Sequence, residues 1–533
     1  MTALEKLRFT LAQVNPTVGD LDYNLDLILD VWNKHDDISD LIIFPEMVLT
    51  GYPPEDLLHK ESFLSECKKN IESLITQSQK NKSAILIGAP FYDEEKLYNA
   101  ALLIDNGHTQ LVKKHHLPNY GVFDERRYFI SGQDSAPLDF RGTKLGVMIC
   151  EDMWFPNIAA NLKSQGAQIL IVLNGSPFEI DKQQIRLAQA RNRATENHLP
   201  LLYINQIGGQ DDLVFDGTSF ALSENGETLL SCKSFEDDIR TLAQPWHNEH
   251  NKETPLSLED SAIFKVATLG LKDYMRKTGQ KKVLIGLSGG IDSALVAVIA
   301  VEALGAENVH AVMMPSVFTS KESLDDATNQ AKRLGITCET VPITDMVENF
   351  IKQQPDTCGI AHENLQSRLR GLILMTKSNT TGAMVLTTGN KSEMAMGYAT
   401  LYGDMCGGYN PLKDIYKTGI YKICTWLNAT RDEIIPKNIL TKAPSAELRK
   451  DQTDQDSLPP YNILDAILDD LIEQDLSIKE IIAKGFDAAT VQKVARLLRL
   501  TEYKRRQSPP GPKITSRTLS RDRRYPITNG YKN

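Results

Sequence analysis

The sequence predicts an α/β protein of two domains. Short apolar runs alternate with helical stretches through both halves, and the alternation lapses once, between Ala243 and Asp260, into a polar run flanked by prolines. The second half then opens with a tight glycine turn set between an apolar run and a helix, the order found where layered α/β domains bind polyanions. The expected boundaries are a first domain over 1–245, a linker over 246–260 and a second domain over 261–533. A chain of 533 residues lets each part bury its own core.

In the first half, Phe9–Val14, Leu41–Phe44, Ala84–Gly88, Ala101–Ile104, Leu145–Ile149, Ile169–Leu173 and Leu201–Ile204 read as buried strands. Helical periodicity covers Asn24–Asn33 and Gln183–Glu196. Leu41–Phe44 runs into Pro45-Glu46, Leu145–Ile149 runs into Cys150-Glu151-Asp152, and Lys113-Lys114 precedes His115-His116-Leu117-Pro118. A thiol is only a few per cent thiolate at neutral pH, so a nucleophilic cysteine needs a base and a cation beside it. A glutamate and a lysine supply both. Taken singly, each also has a structural explanation as a strand-end carboxylate, a buried thiol or a solvated charge, and either lysine of the pair meets the requirement.

The second half repeats strand–helix order: Val283–Leu287 then Ala294–Leu304, Val309–Met314 then Ser323–Leu334, Cys338–Val341, and Met384–Thr388. That order predicts a doubly wound parallel sheet with ligands at the carboxyl ends of its strands. Gly286–Ser293 aims backbone N–H groups and a helix N-terminus at one point, which suits a phosphate. Gly289 and Gly290 let the main chain approach the ligand, and Ser288 and Ser293 can donate to phosphate oxygens. Asp292 repels phosphate unless a cation stands between them, and it occupies the place of the P-loop lysine, which excludes the kinase and GTPase pattern. After Met384–Thr388 comes a polar strand end, with Thr388 open to a ligand and Glu393 as a second carboxylate; a simple helix cap at Ser392-Glu393 is the alternative.

The net charge of −10, from 59 basic and 69 acidic residues, predicts no nucleic-acid or anionic-membrane partner. No apolar run approaches the roughly 18 residues needed to span a bilayer. Seven cysteines at scattered spacings form neither a disulfide framework nor paired zinc ligands, so a cytoplasmic location is expected. His247 and His250 lack partners for a metal site. Lys504–Arg524 carries eight basic residues against one acidic, Asp522, and reads either as a solvated, disordered end or as a segment that orders over phosphates.

These motifs carry a resemblance. Phe44-Pro45-Glu46, the lysine before His-His-Leu-Pro and Ile149-Cys150-Glu151 resemble the Glu, Lys and Cys of the carbon–nitrogen hydrolase (nitrilase) superfamily, whose fold is an αββα sandwich. That likeness implies acyl transfer, with Glu46 as base, Cys150 as nucleophile and Lys114, in register three residues before Leu117, stabilising the oxyanion. Ser-Gly-Gly-Ile-Asp-Ser resembles the pyrophosphate loop of ATP pyrophosphatases of the adenine nucleotide alpha hydrolase-like class.

Thr50–Asp56, Leu117–Glu125, Cys150–Trp154, Thr387–Glu393, Tyr402–Asp404 through Pro411-Leu412 and Lys417-Thr418, and Thr441–Leu448 together resemble the glutamine-dependent NAD⁺ synthetase family over nearly the whole chain. The resemblance implies a ligase in which ammonia from glutamine amidates ATP-activated deamido-NAD⁺. By the same likeness Tyr120, Ser176 and Lys182 would hold glutamine. Gly286, Leu287, Ser288, Gly289, Gly290, Ile291, Asp292, Ser293 and Thr388 would hold ATP, with Lys417 and Ser445 as further contacts. Asn364, Glu393 and Lys504 would contact deamido-NAD⁺, and Asp292 with Glu393 would bind Mg²⁺. A homo-oligomer is expected. The loop alone also serves synthetases acting on xanthosine monophosphate, aspartate or transfer-RNA bases, and a sandwich kept only for association would be a non-catalytic scaffold.

Overall fold

The computed structural model describes residues 7–133, 136–244 and 259–531. The expected linker over 246–260, with His247 and His250, lies outside the described residues except for Glu259 and Asp260, which begin the helix Glu259–Lys277. The described residues form two compact units, one of 7–210 and 214–244, the other of Asp211–Leu213 and 259–531.

The first unit contains β1 (Arg8–Gln13), β2 (Leu41–Ile43), β3 (Ala84–Asp93), β4 (Lys96–Asp105), β5 (His108–Lys113), β6 (Leu138–Phe140), β7 (Thr143–Ile149), β8 (Ile169–Asn174) and β9 (Leu201–Asn205). The shorter strands β10 (Ile207–Gln210), β11 (Leu213–Asp216), β12 (Phe220–Leu222), β13 (Thr228–Ser231) and β14 (Asp238–Ala243) follow. Twelve of them build two six-stranded sheets, ordered β14-β1-β2-β3-β4-β5 and β13-β12-β9-β8-β7-β6, and β10 pairs with β11 in a separate two-stranded sheet. Side chains alternate across each strand, so one face of both sheets supplies a shared core of Phe9, Leu11, Ile43 and Leu86 with Val147, Ile149, Ile171 and Ile204. The opposite face of the second sheet sends Met148, Leu170, Val172 and Tyr203 against Ile158, Leu162, Ala190 and Ala194 of the helices Pro156–Ser164 and Lys182–Asn197. The helix Leu21–His35, capped where Asp20 accepts from the Tyr23 amide, buries Ile28, Val31 and Trp32, and the Trp32 indole donates to the Ser83 carbonyl.

All seven strands expected in this half are present. Apolar patterning alone could not find the outer halves of β3 and β4. Their ladder runs on to Asp93 opposite Lys96 through a polar hairpin whose turn residues, Glu94 and Glu95, have φ of 48° and 64°. Exposed side chains there carry no periodic signal.

The second unit centres on the sheet β17-β16-β15-β18, built from β15 (Val283–Gly286), β16 (Val309–Met313), β17 (Thr337–Thr340) and β18 (Met384–Leu386), with every pair parallel. The strand order reverses at β15. Loops after β15 and β18 therefore face each other across a crevice at the carboxyl ends of the strands, where open parallel sheets bind ligands. A second cluster packs Met394, Ala395 and Met396 against Leu464, Leu468, Val491 and Val494 of the helices Tyr461–Ile472 and Ala488–Leu500. It anchors the loop after β18 from behind. Among the described residues, no helix is long and apolar enough to cross a membrane.

Candidate active sites

Three strand ends and a loop converge in the first unit. Glu46 follows β2, Lys114 follows β5, Cys150 follows β7, and Glu125 lies on a short helical turn over Glu125–Arg127. The Lys114 ammonium donates to Glu46 Oε1 at 2.7 Å and to Glu125 Oε1 at 2.8 Å, and all three side chains are buried. Asn99 Nδ2 donates to Glu46 Oε1 at 2.6 Å and the Gly175 amide donates to Glu46 Oε2 at 2.9 Å, which hold that carboxylate in one orientation. Tyr52 Oη donates to Glu125 Oε1 at 2.8 Å.

The electrostatics follow from burial with incomplete neutralisation. Burial disfavours a charged lysine, but Glu125 and Glu46 outweigh it and hold the Lys114 ammonium well above its ordinary range. Burial and the neighbouring Glu46 push the Glu125 carboxyl up to about 7 against the pull of Lys114. The Cys150 thiol is pushed well above its ordinary value by burial first and by Glu46 next, with Lys114 acting in the opposite sense. The resting thiol therefore keeps its proton, and it would need a base to act as a nucleophile.

Cys150 sits at φ 45° immediately after β7, a conformation that turns its side chain out of the strand direction. Asp152 ties this turn to the lysine segment. Its Oδ1 accepts from the His115 and His116 amides at 3.1 and 2.7 Å, and its Oδ2 accepts from the Ile149 amide at 3.2 Å.

Of the residues expected to hold glutamine, Tyr120 donates through its hydroxyl to Glu151 at 2.9 Å, beside the nucleophile, and is 56% exposed. Ser176 is buried, with its amide on Asn205 Oδ1 at 2.9 Å. The Lys182 ammonium lies 3.5 Å from Glu179 Oε2 and 5.3 Å from the centre of the Trp154 ring. Lys113, the alternative to Lys114, pairs instead with Asp93 at 2.5 Å and covers the Tyr98 ring. Successive residues at the end of β5 face opposite ways, so only one of the two points inward.

Replacing Lys114 by methionine would leave the Glu46 and Glu125 carboxylates buried without their cation. The oxyanion role that the sequence resemblance implies for Lys114 predicts a fall of roughly 10²–10³-fold, about 3–4 kcal/mol of barrier, in kcat for glutamine hydrolysis.

In the second unit, the turn after β15 brings Gly286 to Ser293 into the helix Ile291–Leu304, with Gly290 as its cap. Ser288 Oγ and Ser293 Oγ lie 3.1 Å apart, and the Gly290 amide donates to Ser288 Oγ at 3.2 Å. Gly289 has φ +79°, and a Cβ there would lie 2.2 Å from the Ser323 carbonyl oxygen. Gly289→Ala must therefore displace the loop, and a shift near 1 Å costs about 10²-fold. The expected effect is that loss in kcat/KM for ATP in ammonium-supported synthesis.

Asp292 and Glu393 meet at Lys417. The Lys417 ammonium is 2.5 Å from Asp292 Oδ2 and 3.4 Å from Glu393 Oε1, while Asn390 Nδ2 donates to Asp292 Oδ1 at 3.0 Å. Asn390 also caps the helix Lys391–Met396 reciprocally with Glu393. The helix cap is therefore present, made by Asn390 with Glu393, and the Glu393 carboxylate that takes part in it also faces Lys417. Burial raises the Glu393 carboxyl to about 8 despite Lys417, with Asp292 and Asp454 adding to the rise. A single lysine leaves this oxygen-rich pocket short of positive charge, which suits a divalent cation taking one or two carboxylates together with phosphate oxygens. Among the described residues, no group of three His, Cys, Asp or Glu side chains forms a complete metal cage.

Asn364 Oδ1 accepts from Thr400 Oγ1 at 2.9 Å, and the Lys504 ammonium donates to the Gly397 and Ala399 carbonyls at 2.8 Å each. Both hold the loop that follows the Glu393 helix. Ser445 Oγ donates to the Gln452 carbonyl at 2.6 Å. A cleft at the end of β18 is lined by Thr387, Gly389, Glu393, Asp404, Asn410 and Ser508, and Thr388 lies within the same strand-end segment.

Within the basic tail, Lys513 and Arg505 are not solvated. Lys513 is buried on the Thr515 and Ser516 carbonyls and Asp522, and Arg505 is buried on the Met394 and Ala395 carbonyls and Glu502. Buried backbone carbonyls need donors, and these side chains supply them. Sequence reasoning also left Glu125, Asn99 and Asn390 without roles. Glu125 and Asn390 lie inside segments that carried the resemblance, and that position was their only signal.

A family-level match to carbon–nitrogen hydrolase spans residues 8–244, and a second, to NAD synthase, spans residues 263–508. The glutamine-dependent NAD(+) synthetase of Rhodobacter capsulatus is 47% identical, with 99% of each chain covered. That of Thermotoga maritima is 44% identical over 99% of this chain and 100% of its own. The structure of the glutamine-dependent NAD⁺ synthetase from Acinetobacter baumannii in complex with ADP aligns with a TM-score of 0.78 at 40% identity, covering 99% of this chain and 100% of that one. The Cytophaga hutchinsonii enzyme, at 21% identity, shares the fold with a TM-score of 0.86 over 99% of this chain and 98% of its own.

Proposed function

The chain belongs to the glutamine-dependent NAD⁺ synthetase family, and from that premise we propose how its own residues divide the reaction. The enzyme is a carbon–nitrogen ligase: ammonia released from glutamine amidates ATP-activated deamido-NAD⁺, giving NAD⁺, AMP, pyrophosphate and glutamate.

In the glutaminase half, Glu46 takes the Cys150 proton as sulfur attacks the carboxamide carbon. Lys114 and a backbone N–H after Cys150 receive the oxyanion; Glu46 returns the proton to the departing ammonia, and water then hydrolyses the thioester to glutamate. Tyr120, Ser176 and Lys182 hold the α-amino and carboxylate ends of glutamine. The single observation that supports this reading is the buried Lys114 ammonium 2.7 Å from Glu46, both of which act on the Cys150 thiol electrostatically.

In the synthetase half, the turn Gly286–Ser293 and Thr388 hold ATP, with Lys417 and Ser445 as further contacts. Asn364, Glu393 and Lys504 contact deamido-NAD⁺. The nicotinate carboxylate attacks the α-phosphorus and releases pyrophosphate; ammonia then attacks the acyl carbon and releases AMP. A carboxylate is too poor an electrophile for ammonia without that activation. Asp292 and Glu393 are the ligands for Mg²⁺, which when bound neutralises the charge gathering on the phosphates.

The protein is further proposed to act in the cytoplasm as a homo-oligomer. The free cysteines suit a reducing compartment, and Ile360, Leu372 and Met375 on the helix Ile360–Thr381 expose apolar surface of the kind that pairs copies. The reaction is tested with purified protein, glutamine, ATP, Mg²⁺ and deamido-NAD⁺, following NAD⁺, glutamate, AMP and pyrophosphate together. Equal yields are expected. A chelator should stop NAD⁺, AMP and pyrophosphate formation, and continued synthesis would reject the metal assignment.

A further inference from the structure

Lys391 belongs to the segment that carries Asn390 and Glu393, yet its side chain points away from both. The ammonium is fully buried and reached by Glu473 Oε1 at 2.5 Å, Thr515 Oγ1 at 2.6 Å, Asp414 Oδ1 at 2.8 Å and the Arg517 carbonyl at 2.9 Å. Thr515 Oγ1 in turn donates to Asp414 Oδ2 at 3.0 Å, and the Ile514 and Thr515 amides donate to the same oxygen at 2.8 and 2.7 Å. Lys513, anchored on Asp522 at 2.9 Å, holds the strap closed on itself, and the Asn410 amide donates to the Pro510 carbonyl at 2.8 Å.

The placement is informative. Lys391 is next to Asn390, which holds Asp292, and its amide donates to the Ile415 carbonyl at 2.9 Å. Asp414 lies three residues before Lys417, the cation shared by Asp292 and Glu393. Both segments that meet at the centre are thus bolted from behind to one stretch of the C-terminal tail. A buried ion network is a poor source of stability, since well-packed apolar side chains commonly do as well or better. What it supplies is a fixed geometry, because each charge admits few arrangements of its partners.

We propose that the strap over 510–523 is a positioning element of the synthetase centre, acting through Thr515, Asp414 and Lys391 on Asn390, Glu393 and Lys417. The proposal rests on the reading of Asp292 and Glu393 as the triphosphate centre. Its test is the single-turnover rate of pyrophosphate release, a step that ammonia does not enter, followed in Thr515→Val, Thr515→Ser and Asp292→Ala. Lys391→Met strands two buried carboxylates and can fail to fold, so the nearly isosteric Thr515→Val is the deciding variant.

Thr515→Val is expected to lower the release rate about tenfold with KM for ATP within twofold, and Thr515→Ser should restore it. A Thr515→Val rate within twofold of the parent, with Asp292→Ala inactive, overturns the strap's role and leaves the centre standing. A rise in KM for ATP with an unchanged rate also overturns it. Retained activity in Asp292→Ala overturns the reading of the centre, and the proposal with it.

Discussion

Cys150→Ala is expected to abolish glutamine-supported NAD⁺ synthesis while ammonium-supported synthesis continues. In the proposed mechanism the thiol is the atom that bonds to the carboxamide carbon, and its neighbours cannot substitute for it. Glu46 is fully engaged with Lys114, Asn99 and the Gly175 amide, and Lys114 is held as a cation by two carboxylates. Removal of such a nucleophile costs roughly 10⁴-fold or more in kcat, with only transition-state binding left behind. The site is buried but the substitution shrinks a side chain beside a charged cluster without removing any of its ion pairs, so the fold should persist. The measurement is NAD⁺ formed per minute with glutamine and, separately, with an ammonium salt. Loss of both activities would argue against separate sites for hydrolysis and amidation.

Asp292→Ala should remove both activities. The Lys417 ammonium would lose its nearest acceptor and Asn390 Nδ2 its partner, leaving Glu393 as the only carboxylate of the pair at the end of the pyrophosphate turn. The pair is buried at Lys417 and only partly so at Asp292, and the loss falls on the group expected to hold the cation against the phosphates. A decline of roughly 10³-fold in ammonium-supported synthesis is expected. Asp292→Asn preserves shape and should fail as well, which separates charge from packing. Retention of either activity in both variants would reject the metal role.

Much of the chemistry was legible because it is local. Glu46 and Cys150 each follow a buried strand directly, and the pyrophosphate turn is contiguous from Gly286 to Ser293, so strand periodicity together with neighbouring residue types located all three. The choice between Lys113 and Lys114 was different in kind. Composition treats them alike, the motif register three residues before Leu117 favours Lys114, and the facing of β5 puts Asp93 beside Lys113 and Glu46 beside Lys114. Glu125 illustrates the same limit, since nothing near it in sequence reveals that it shares the Lys114 ammonium with a residue 79 positions away.

The basic tail shows where reading by composition misleads. Eight positive residues look like a solvated or phosphate-binding segment, but Arg505 and Lys513 are spent on backbone carbonyls and buried acids. Lys513 finds its partners within its own segment, whereas the Met394 and Ala395 carbonyls lie more than a hundred residues from Arg505, a distance that no local pattern records.

The order of residues along the chain by itself determined the alternation of strands and helices and put Glu46, Cys150 and the turn Gly286–Ser293 at strand ends, because each depends on neighbours within a few positions. Tertiary structure alone decided which lysine is buried, that Asp292 and Glu393 converge on one ammonium, and that the C-terminal strap braces them from behind. Those outcomes depend on where sheets and loops bring remote charges together in a medium that cannot screen them.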